Sequence, residues 1–295
     1  MYKVRLVLLF ILILILSSCR KPSTRERYFD KDFTVEENFV PDEEEDIKIV
    51  DEQEECDDDD DELSYMDDNV LLPRLLVNKP EQILQRVGYL LSYNSNTRNA
   101  NWVAWHLTKE HTLGSWSRDG IPYMVDEDVK GPRQELEDWY GHSLPIDHGH
   151  LCPAGDCKWS REAMEQSFLL TNMCPQNSNL NRGGWEKLES RCRGWARHYG
   201  DVYIVAGPIF YYNEYKTIGS NKVGVPDAFF KVVLCMTKKP KALGFIYPND
   251  SCKHQIEHYI LAVDEVEQIT NIDFFYNLPD DLEMKVESEA NIKEW

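Results

Sequence analysis

The sequence predicts an α+β fold in which helices flank a central antiparallel sheet. Runs rich in β-branched and aromatic residues occur at 88–93 and 102–107 on either side of a polar turn, which is typical of a hairpin. Residues 226–234 and 242–247 form a second pair of this kind. Apolar residues repeat at helical spacing across 183–198, which predicts a helix.

The other elements are predicted from the same signals, taken in chain order. We expect the globular part to begin near residue 81. We expect mostly loop at 119–146, because this stretch is rich in proline, glycine and charge. The further predictions are strands at 167–173 and 201–208, helical segments at 162–166, 254–261 and 263–270, and a loose tail at 282–295.

The N-terminus has the layout of a secretory signal. Two basic residues precede an apolar run at 6–16, which is too short to span a bilayer comfortably. The run ends in Leu16-Ser17-Ser18-Cys19, which resembles a bacterial lipoprotein box. We therefore expect cleavage after residue 18, a lipid on Cys19, and a protein anchored to a membrane on the periplasmic or cell-surface side. The alternative is an uncleaved N-terminal anchor with an incidental cysteine.

Most of the formal net charge of −20 lies in one tract. Residues 41–68 hold 17 acidic residues and one lysine, for a net charge of −16, and residues 1–40 carry +2, which leaves only −6 for residues 69–295. Dense like charge without apolar periodicity predicts a disordered tether at 19–68, followed by a globular domain at 69–295. Two alternatives for the tract are an acidic mimic of nucleic acid that covers the active site and a Ca²⁺ site at 57–61.

Candidate chemistry is concentrated between residues 147 and 189. The stretch holds Asp147-His148-Gly149-His150, then Asn172, then a segment that runs from Asn181 to Glu189. A neutral imidazole can accept a proton from water near neutral pH. An amide oxygen and a carboxylate suit Mg²⁺, and arginines can fork onto phosphate oxygens. This inventory suits hydrolysis of a phosphate ester with one hard metal ion.

The same blocks resemble the DNA/RNA non-specific endonuclease family, the ββα-metal nucleases related to endonuclease G and the secreted Serratia-type nuclease. The family signature is Asp-Arg-Gly-His, followed downstream by Asn and, eight residues later, Glu on a helix. The resemblance extends to Trp102-Val103-Ala104-Trp105 and Phe274-Phe275, so it covers a core of about 85–279. It implies a ββα-metal fold and a Mg²⁺-dependent endonuclease, with Mn²⁺ as a substitute ion, that cuts DNA and RNA without sequence specificity through phosphate contacts.

The resemblance also implies roles for individual residues. His150 would be the general base, Asn181 the direct metal ligand, and Glu189 the group that holds the waters of the metal. The other implied residues are the phosphate-contacting Arg118, Arg182 and Arg193, Asn172, which positions the site, and Asp147, which orients the loop or an imidazole.

One departure from the family pattern is His148, which stands where the family usually has arginine. A neutral histidine would not supply the fixed positive charge of an arginine. The expected consequence is reduced activity, or activity favoured at mildly acid pH. A catalytically weak or inactive nucleic-acid-binding relative is therefore an alternative, and His148 is a second candidate for the base.

The cysteines and histidines allow other interpretations. A structural Zn²⁺ site would use His148, His150, Cys152 and Cys157, and a Cys-His hydrolase would use Cys152 as its nucleophile. Eight cysteines in an exported chain also suggest disulfides. Without Cys19 and Cys56, six remain for pairing: Cys152, Cys157, Cys174, Cys192, Cys235 and Cys252. Six cysteines allow fifteen pairings, and we favour Cys235 with Cys252, which flank one hairpin.

Overall fold

The computed structural model describes residues 72–251 and 253–295. The predicted signal peptide, the lipidated Cys19, the tether and the interpretations of its acidic tract lie outside the described residues, as do Cys56 and Cys252. In the part of the chain that the structure describes, no helix is long and apolar enough to cross a membrane.

A seven-stranded antiparallel sheet forms the centre of the domain, with the strand order β1-β2-β3-β6-β9-β10-β11. Two short two-stranded ribbons, β4-β5 and β7-β8, lie outside it. The strands are β1 Gln82–Gln85, β2 Leu90–Asn94, β3 Asn99–Thr108, β4 Ile146–His150, β5 Met173–Asn177, β6 Asp201–Ile209, β7 Thr217–Ile218, β8 Val223–Gly224, β9 Ala228–Cys235, β10 Lys241–Pro248 and β11 Ile260–Leu261.

Helices cover both faces of the sheet. The α-helices are α1 Lys109–Thr112, α2 Arg161–Gln166, α3 Ser178–Leu180, α4 Glu186–Tyr199, α5 Val263–Thr270 and α6 Asp280–Ser288. A π-helical turn, Asn181–Trp185, joins α3 to α4. The 3-10 turns are Leu136–Trp139, Ala154–Asp156, Leu170–Asn172, Ile256–Tyr259 and Ile292–Glu294.

Two apolar clusters, one on each face, hold these layers together. On one face, α4 packs Leu188 and Trp195 into a cluster with Phe245 from the sheet. On the other face, Val266 of α5 and Val286 of α6 pack against the strand side chains that point to that face. Because successive side chains of a strand point to opposite faces, the sheet separates the ββα unit (β4, β5 and α4) from α5 and α6.

The local order around the histidine motif differs from the prediction in one respect. The predicted strand at 167–173 is wrong: the chain makes a 3-10 turn at Leu170–Asn172, and the strand β5 begins only at Met173. It then continues through Pro175, which lies opposite His148. Proline is tolerated there because both strands of a two-stranded ribbon are edge strands. The order strand, strand, helix is nevertheless as predicted.

The C-terminus is more ordered than the sequence indicated. The predicted loose tail at 282–295 is wrong, because α6 buries Val286 against the sheet. The final residue, Trp295, packs its ring 4.7 Å from that of Trp195. The predicted helical segment at 254–261 is only the 3-10 turn Ile256–Tyr259, which is followed by the edge strand β11.

The described cysteines carry free thiols. All five of them are buried, and the Sγ atoms of Cys152 and Cys157 lie 3.8 Å apart. The favoured pairing of Cys235 with Cys252 is wrong, since Cys235 is a free thiol at the turn of the β9-β10 hairpin.

Candidate active site

The ribbon β4-β5 presents the histidine motif to a cleft of about 730 Å³. His148 pairs with Pro175 and His150 with Met173 in the antiparallel ladder. Residues two apart on a strand share a side, so both imidazoles line the same cleft. Eight of the nine predicted site residues line this cleft: Arg118, Asp147, His148, His150, Asn181, Arg182, Glu189 and Arg193.

His150 is a buried imidazole with a free acceptor position. The residue is 9% exposed, and its Nε2 atom has no hydrogen-bond partner. The ring stands edge-on to Phe168, with the ring centroids 5.1 Å apart. Burial, together with the nearby Arg118 and His148, lowers the pKa of His150 to about 3. The imidazole is therefore neutral at any ordinary pH, as a proton acceptor must be.

Asp147 organises the polar side of the cleft. Its carboxylate accepts hydrogen bonds from Ser178 Oγ at 2.9 Å, Asn181 Nδ2 at 3.0 Å, and Arg182 Nε and Nη2 at 2.8 Å each. Burial opposes ionisation, but the bonds from Arg182, Asn181 and Ser178 outweigh it and lower the pKa of the Asp147 carboxyl. Because the amide nitrogen of Asn181 is engaged, its Oδ1 atom remains free as a ligand for a cation.

Glu189 is a partly buried carboxylate in the first turn of α4. Within the described residues it takes part in no hydrogen bond or ion pair. Burial raises the pKa of Glu189 to about 7, although the positive charge of Lys231 opposes the shift. A carboxylate oxygen and the amide oxygen of Asn181, completed by water, form the hard oxygen donor set that Mg²⁺ prefers. The residues of the cleft therefore fit a single divalent cation.

The three arginines of the cleft differ in how their charge is used. Arg182 forms a bidentate ion pair with Asp147, although 73% of the Arg182 side chain is exposed. Arg193 donates from Nη1 to the buried Asp156 carboxylate at 2.9 Å. Arg118 makes no ion pair with any described residue, and its guanidinium carbon lies 5.4 Å from the centroid of the Phe168 ring. Arg118 is thus the arginine with the most charge available for an anion.

His148 is held between two aromatic rings. Its ring is stacked on Tyr123 at 4.0 Å and on Trp139 at 3.9 Å between centroids. Burial lowers the pKa of His148 to about 4. This pKa argues against the expectation that a charged His148 favours activity at mildly acid pH, because the ring becomes charged only near pH 4 or below.

Asn172 is the predicted site residue that does not line the cleft. It is fully buried, accepts a hydrogen bond from the Cys152 N–H at 2.9 Å, and donates to the carbonyls of Cys152 and Ser167 at 2.8 and 2.9 Å. These bonds fix the loop that follows His150 against the turn that precedes β5. Asn172 therefore supports the position of the motif without contact with the cleft.

Comparison with known proteins decides the family. Residues 71–281 match the model of the DNA/RNA non-specific endonuclease family. The chain belongs to this family. A chain of the solved EndoG/EndoGI complex superposes with a TM-score of 0.66 at 25% identity, covering 73% of this chain and 93% of that one. The predicted family, the endonuclease class and the ββα-metal fold with its flanked antiparallel sheet are thus confirmed.

Curated members of the family are similar over most of the domain. Mitochondrial nuclease EXOG of Xenopus laevis is 32% identical over 217 residues, which cover 68% of this chain and 60% of the relative. Mitochondrial endonuclease G of Bos taurus is 31% identical, covering 67% and 70%. Nuclease C1 of Cunninghamella echinulata is 35% identical, covering 66% and 83%. The predicted lipoprotein character stays a prediction, as do the domain boundaries.

Sequence reasoning missed a buried lysine of this family member. Lys231 on β9 is fully buried, and its Nζ atom has no hydrogen-bond partner. The ammonium lies 4.4 Å from the ring centroid of Trp185 and 5.2 Å from that of Trp105. Its charge acts to lower the pKa values of Glu189 and Asp156. A lone lysine inside the apolar run 228–235 was the available signal.

The geometry overturns two alternative interpretations. Among the described residues, the His, Cys, Asp and Glu groups that could hold a metal do not include the four predicted Zn²⁺ ligands. Two of those ligands, Cys152 and Cys157, face each other in the core instead. Burial also raises the pKa of the Cys152 thiol well above its usual value, so the thiolate that a Cys-His hydrolase needs is not available.

Proposed function

We propose that this protein is a Mg²⁺-dependent, sugar-non-specific endonuclease that hydrolyses phosphodiester bonds of DNA and RNA. The observation that carries the proposal is the unpartnered Nε2 atom of a neutral His150, a residue that lines the same cleft as Asn181 and Glu189. A proton acceptor and a hard oxygen donor set in one cleft are the minimum that such a hydrolysis needs. Membership of the DNA/RNA non-specific endonuclease family supports the same reaction.

Asn181 and Glu189 are the residues that would hold the ion. The Oδ1 atom of Asn181 would be the direct ligand, because Asp147 engages the other end of the amide. Glu189 would accept hydrogen bonds from the waters of the ion, which suits Mg²⁺ because this ion keeps several of its waters. When bound, Mg²⁺, or Mn²⁺ in its place, supplies positive charge beside the scissile phosphate and the leaving 3′ oxygen.

His150 would act as the general base. Its Nε2 atom accepts a proton from the attacking water, and the edge-on contact with Phe168 restricts rotation of the ring. Because the imidazole is neutral, no proton has to leave it before the reaction. A positioned general base of this kind contributes on the order of 10²- to 10⁴-fold to the rate.

Substrate binding would rest on phosphates. Arg118 supplies charge that no described carboxylate neutralises, and Arg182 and Arg193 add charge at the cleft wall. Residues 69–295 carry a formal charge of −6, so attraction of nucleic acid depends on this local cluster. Contacts to phosphates carry no sequence information, and binding through them should weaken steeply as salt rises.

The second candidate is a catalytically weak or inactive nucleic-acid-binding relative. The stacked, neutral His148 favours it, since it leaves the position of the family arginine without charge. Nicking of supercoiled plasmid with Mg²⁺ and with EDTA separates the two. We expect Mg²⁺-dependent nicking of DNA and cleavage of RNA. Plasmid binding without nicking would favour the inactive relative.

We also propose that the protein is an exported lipoprotein held at a membrane through Cys19, with residues 19–68 as the tether. The apolar run and the Leu-Ser-Ser-Cys sequence support this proposal. Cys19→Ala should release the protein from membranes or leave its signal peptide uncleaved. A wild-type protein that fractionates as soluble and incorporates no labelled fatty acid would contradict it.

A further inference from the structure

Three carboxylates converge between helices α5 and α6, on the sheet face opposite to the cleft. Asp264 and Glu267 lie three residues apart on α5, and Glu287 lies on α6. One oxygen from each carboxylate lies within 4.8 Å of the other two. We call these three residues the carboxylate cluster.

Glu287 is the side chain that the fold leaves unsatisfied. The residue is only 4% exposed, and its Oε1 atom has no hydrogen-bond partner. A buried carboxylate oxygen without a partner is costly, because burial removes its water and nothing replaces it. The other two members are half-buried, and Glu267 already uses Oε1 to accept the Phe274 N–H at 2.6 Å.

Further acidic side chains surround the carboxylate cluster and add to its negative potential. Glu283 and Asp273 also act on Glu287 in the direction that disfavours its ionisation. No ion pair in residues 72–251 or 253–295 uses a member of the cluster. Arg74 acts on the neighbouring Glu283, but it pairs with Asp273 at the surface, where the two side chains are 70% and 39% exposed. The cluster therefore lacks a positive partner in the described chain.

We propose that the carboxylate cluster binds a Ca²⁺ ion. Ca²⁺ takes six to eight oxygen ligands at about 2.3–2.6 Å, so two ligands on opposite sides of one ion lie up to about 5 Å apart. The separations within the cluster satisfy that limit without movement of the helices. The half-exposed sides of Asp264 and Glu267 leave room for water to complete the coordination.

The buried Glu287 selects between the hard cations. Mg²⁺ dehydrates reluctantly and demands near-ideal octahedral geometry, whereas Ca²⁺ accepts irregular sets of carboxylates. An ion that meets a buried carboxylate must lose water on that side, which favours Ca²⁺. The bound ion would cross-link α6 to α5 and so fasten the C-terminal helix to the sheet. Its effect would be on stability, since the sheet separates it from the cleft.

The test measures thermal unfolding and Ca²⁺ binding of the full chain after removal of metals. Glu287→Gln removes the buried charge, and Glu289→Gln makes the same change at an exposed position just beyond the same helix. With Ca²⁺ at 100 times its Kd, the Tm of the wild type and of Glu289→Gln should rise by about 5–10 °C. Glu287→Gln should bind at least about 10-fold more weakly at this site and lose most of that rise.

The decisive result is a reversal in the order of the Tm values of Glu287→Gln and the wild type between EDTA and Ca²⁺. In EDTA, Glu287→Gln should melt at or above the Tm of the wild type, because it replaces a buried carboxyl group whose Oε1 atom has no partner. In Ca²⁺, it should melt below the wild type. Ca²⁺ bound in the cleft or by the acidic tract adds equally to all three proteins and cancels. Asp264→Asn, at a half-buried position, provides the same comparison if Glu287→Gln does not fold.

Two results would overturn the proposal. One is an equal Ca²⁺-induced rise in Tm for the wild type and Glu287→Gln, which would place the ion elsewhere. The other is the absence of any rise in the wild type, which would mean that protons neutralise the cluster. Nuclease activity at saturating Mg²⁺ should be the same in Glu287→Gln and the wild type, so this test and the test of the proposed function can fail separately.

Discussion

His148 and His150 are separated by one residue on β4, yet each belongs to a different set of side chains in the cleft. The acceptor set comprises His150, Asn181 and Glu189. Each has an oxygen or nitrogen atom that accepts no hydrogen bond from a described residue. The stacked set comprises His148, Tyr123 and Trp139, whose rings lie face to face. His150 is buried and His148 is half-buried, but both imidazoles are neutral, so their pKa values do not distinguish them. The difference lies in their contacts: the Nε2 atom of His150 has no hydrogen-bond partner, whereas both faces of the His148 ring are covered by aromatic rings.

The largest effect is expected in the acceptor set at Asn181. Asn181→Ala should nearly abolish Mg²⁺-dependent cleavage while the protein stays folded, because it removes the direct oxygen ligand of the proposed ion. Plasmid nicking across a Mg²⁺ titration measures this, with circular dichroism as the check on folding. Asn179→Ala, at an exposed asparagine two residues earlier, is the matched control and should keep full activity. Equal activity of Asn181→Ala and the wild type would contradict the metal assignment.

His150→Ala is expected to lower the cleavage rate by about 10²- to 10⁴-fold, the usual contribution of a general base. His198→Ala removes an exposed imidazole from α4 and should leave the rate unchanged. Rates should be compared at saturating Mg²⁺, so that a change in metal affinity does not imitate loss of the base. A rate for His150→Ala within a few-fold of the wild type would exclude this imidazole as the base.

Glu189→Ala should cost less, about 10- to 100-fold, because Glu189 acts on the ion through its waters. Its pKa adds a pH dependence with a definite sign. Since the pKa is raised to about 7, the carboxyl is increasingly protonated as pH falls through 7, and cation binding weakens. The half-saturating Mg²⁺ concentration should therefore be about 10-fold higher at pH 6 than at pH 8. Glu189→Gln should abolish that difference; an unchanged pH dependence would assign it to another group.

The smallest effect is expected in the stacked set. His148→Arg should keep or modestly raise activity, because a planar guanidinium can stack between Tyr123 and Trp139 and carries a permanent charge. The gain should disappear at high salt, where charge contributes less to phosphate binding. Measurement of KM and kcat at two salt concentrations tests this. A large loss in kcat would show that His148 has a role beyond the cleft wall.

The resemblance to the family, carried by the order and spacing of its polar blocks, implied the acceptor set, and the structure brings its three residues to one cleft. His150, Asn181 and Glu189 come from one continuous stretch whose strand-strand-helix order fixes their approach to the cleft. The stacked set was not predictable in the same way. Tyr123 and Trp139 come from a segment without apolar periodicity, and only tertiary packing brings them to the two faces of His148.

The C-terminal region shows the same limit in the fold. The sequence of α6, Asp280–Ser288, is rich in charge, and most of it falls within the predicted loose tail at 282–295. Its helical face buries only Val286 and Glu287, so the amphipathic signal is weak. The contact between Glu287 and α5 depends on packing of both helices against the sheet, which no local pattern reports. Likewise, the buried Lys231 is explained only by the two tryptophan rings that meet it in space.

The central claim is that His150, and not His148, is the base of a metal-dependent nuclease. Its most direct test is the rate of supercoiled-DNA cleavage at saturating Mg²⁺ from pH 5 to 9 for the wild type, His150→Ala and His148→Arg. We predict that His150→Ala is slow at every pH, that His148→Arg follows the wild type, and that neither active protein loses its activity around pH 6.5, because both imidazoles are neutral throughout. Survival of activity in His150→Ala, with its loss in His148→Arg, would reverse the two roles.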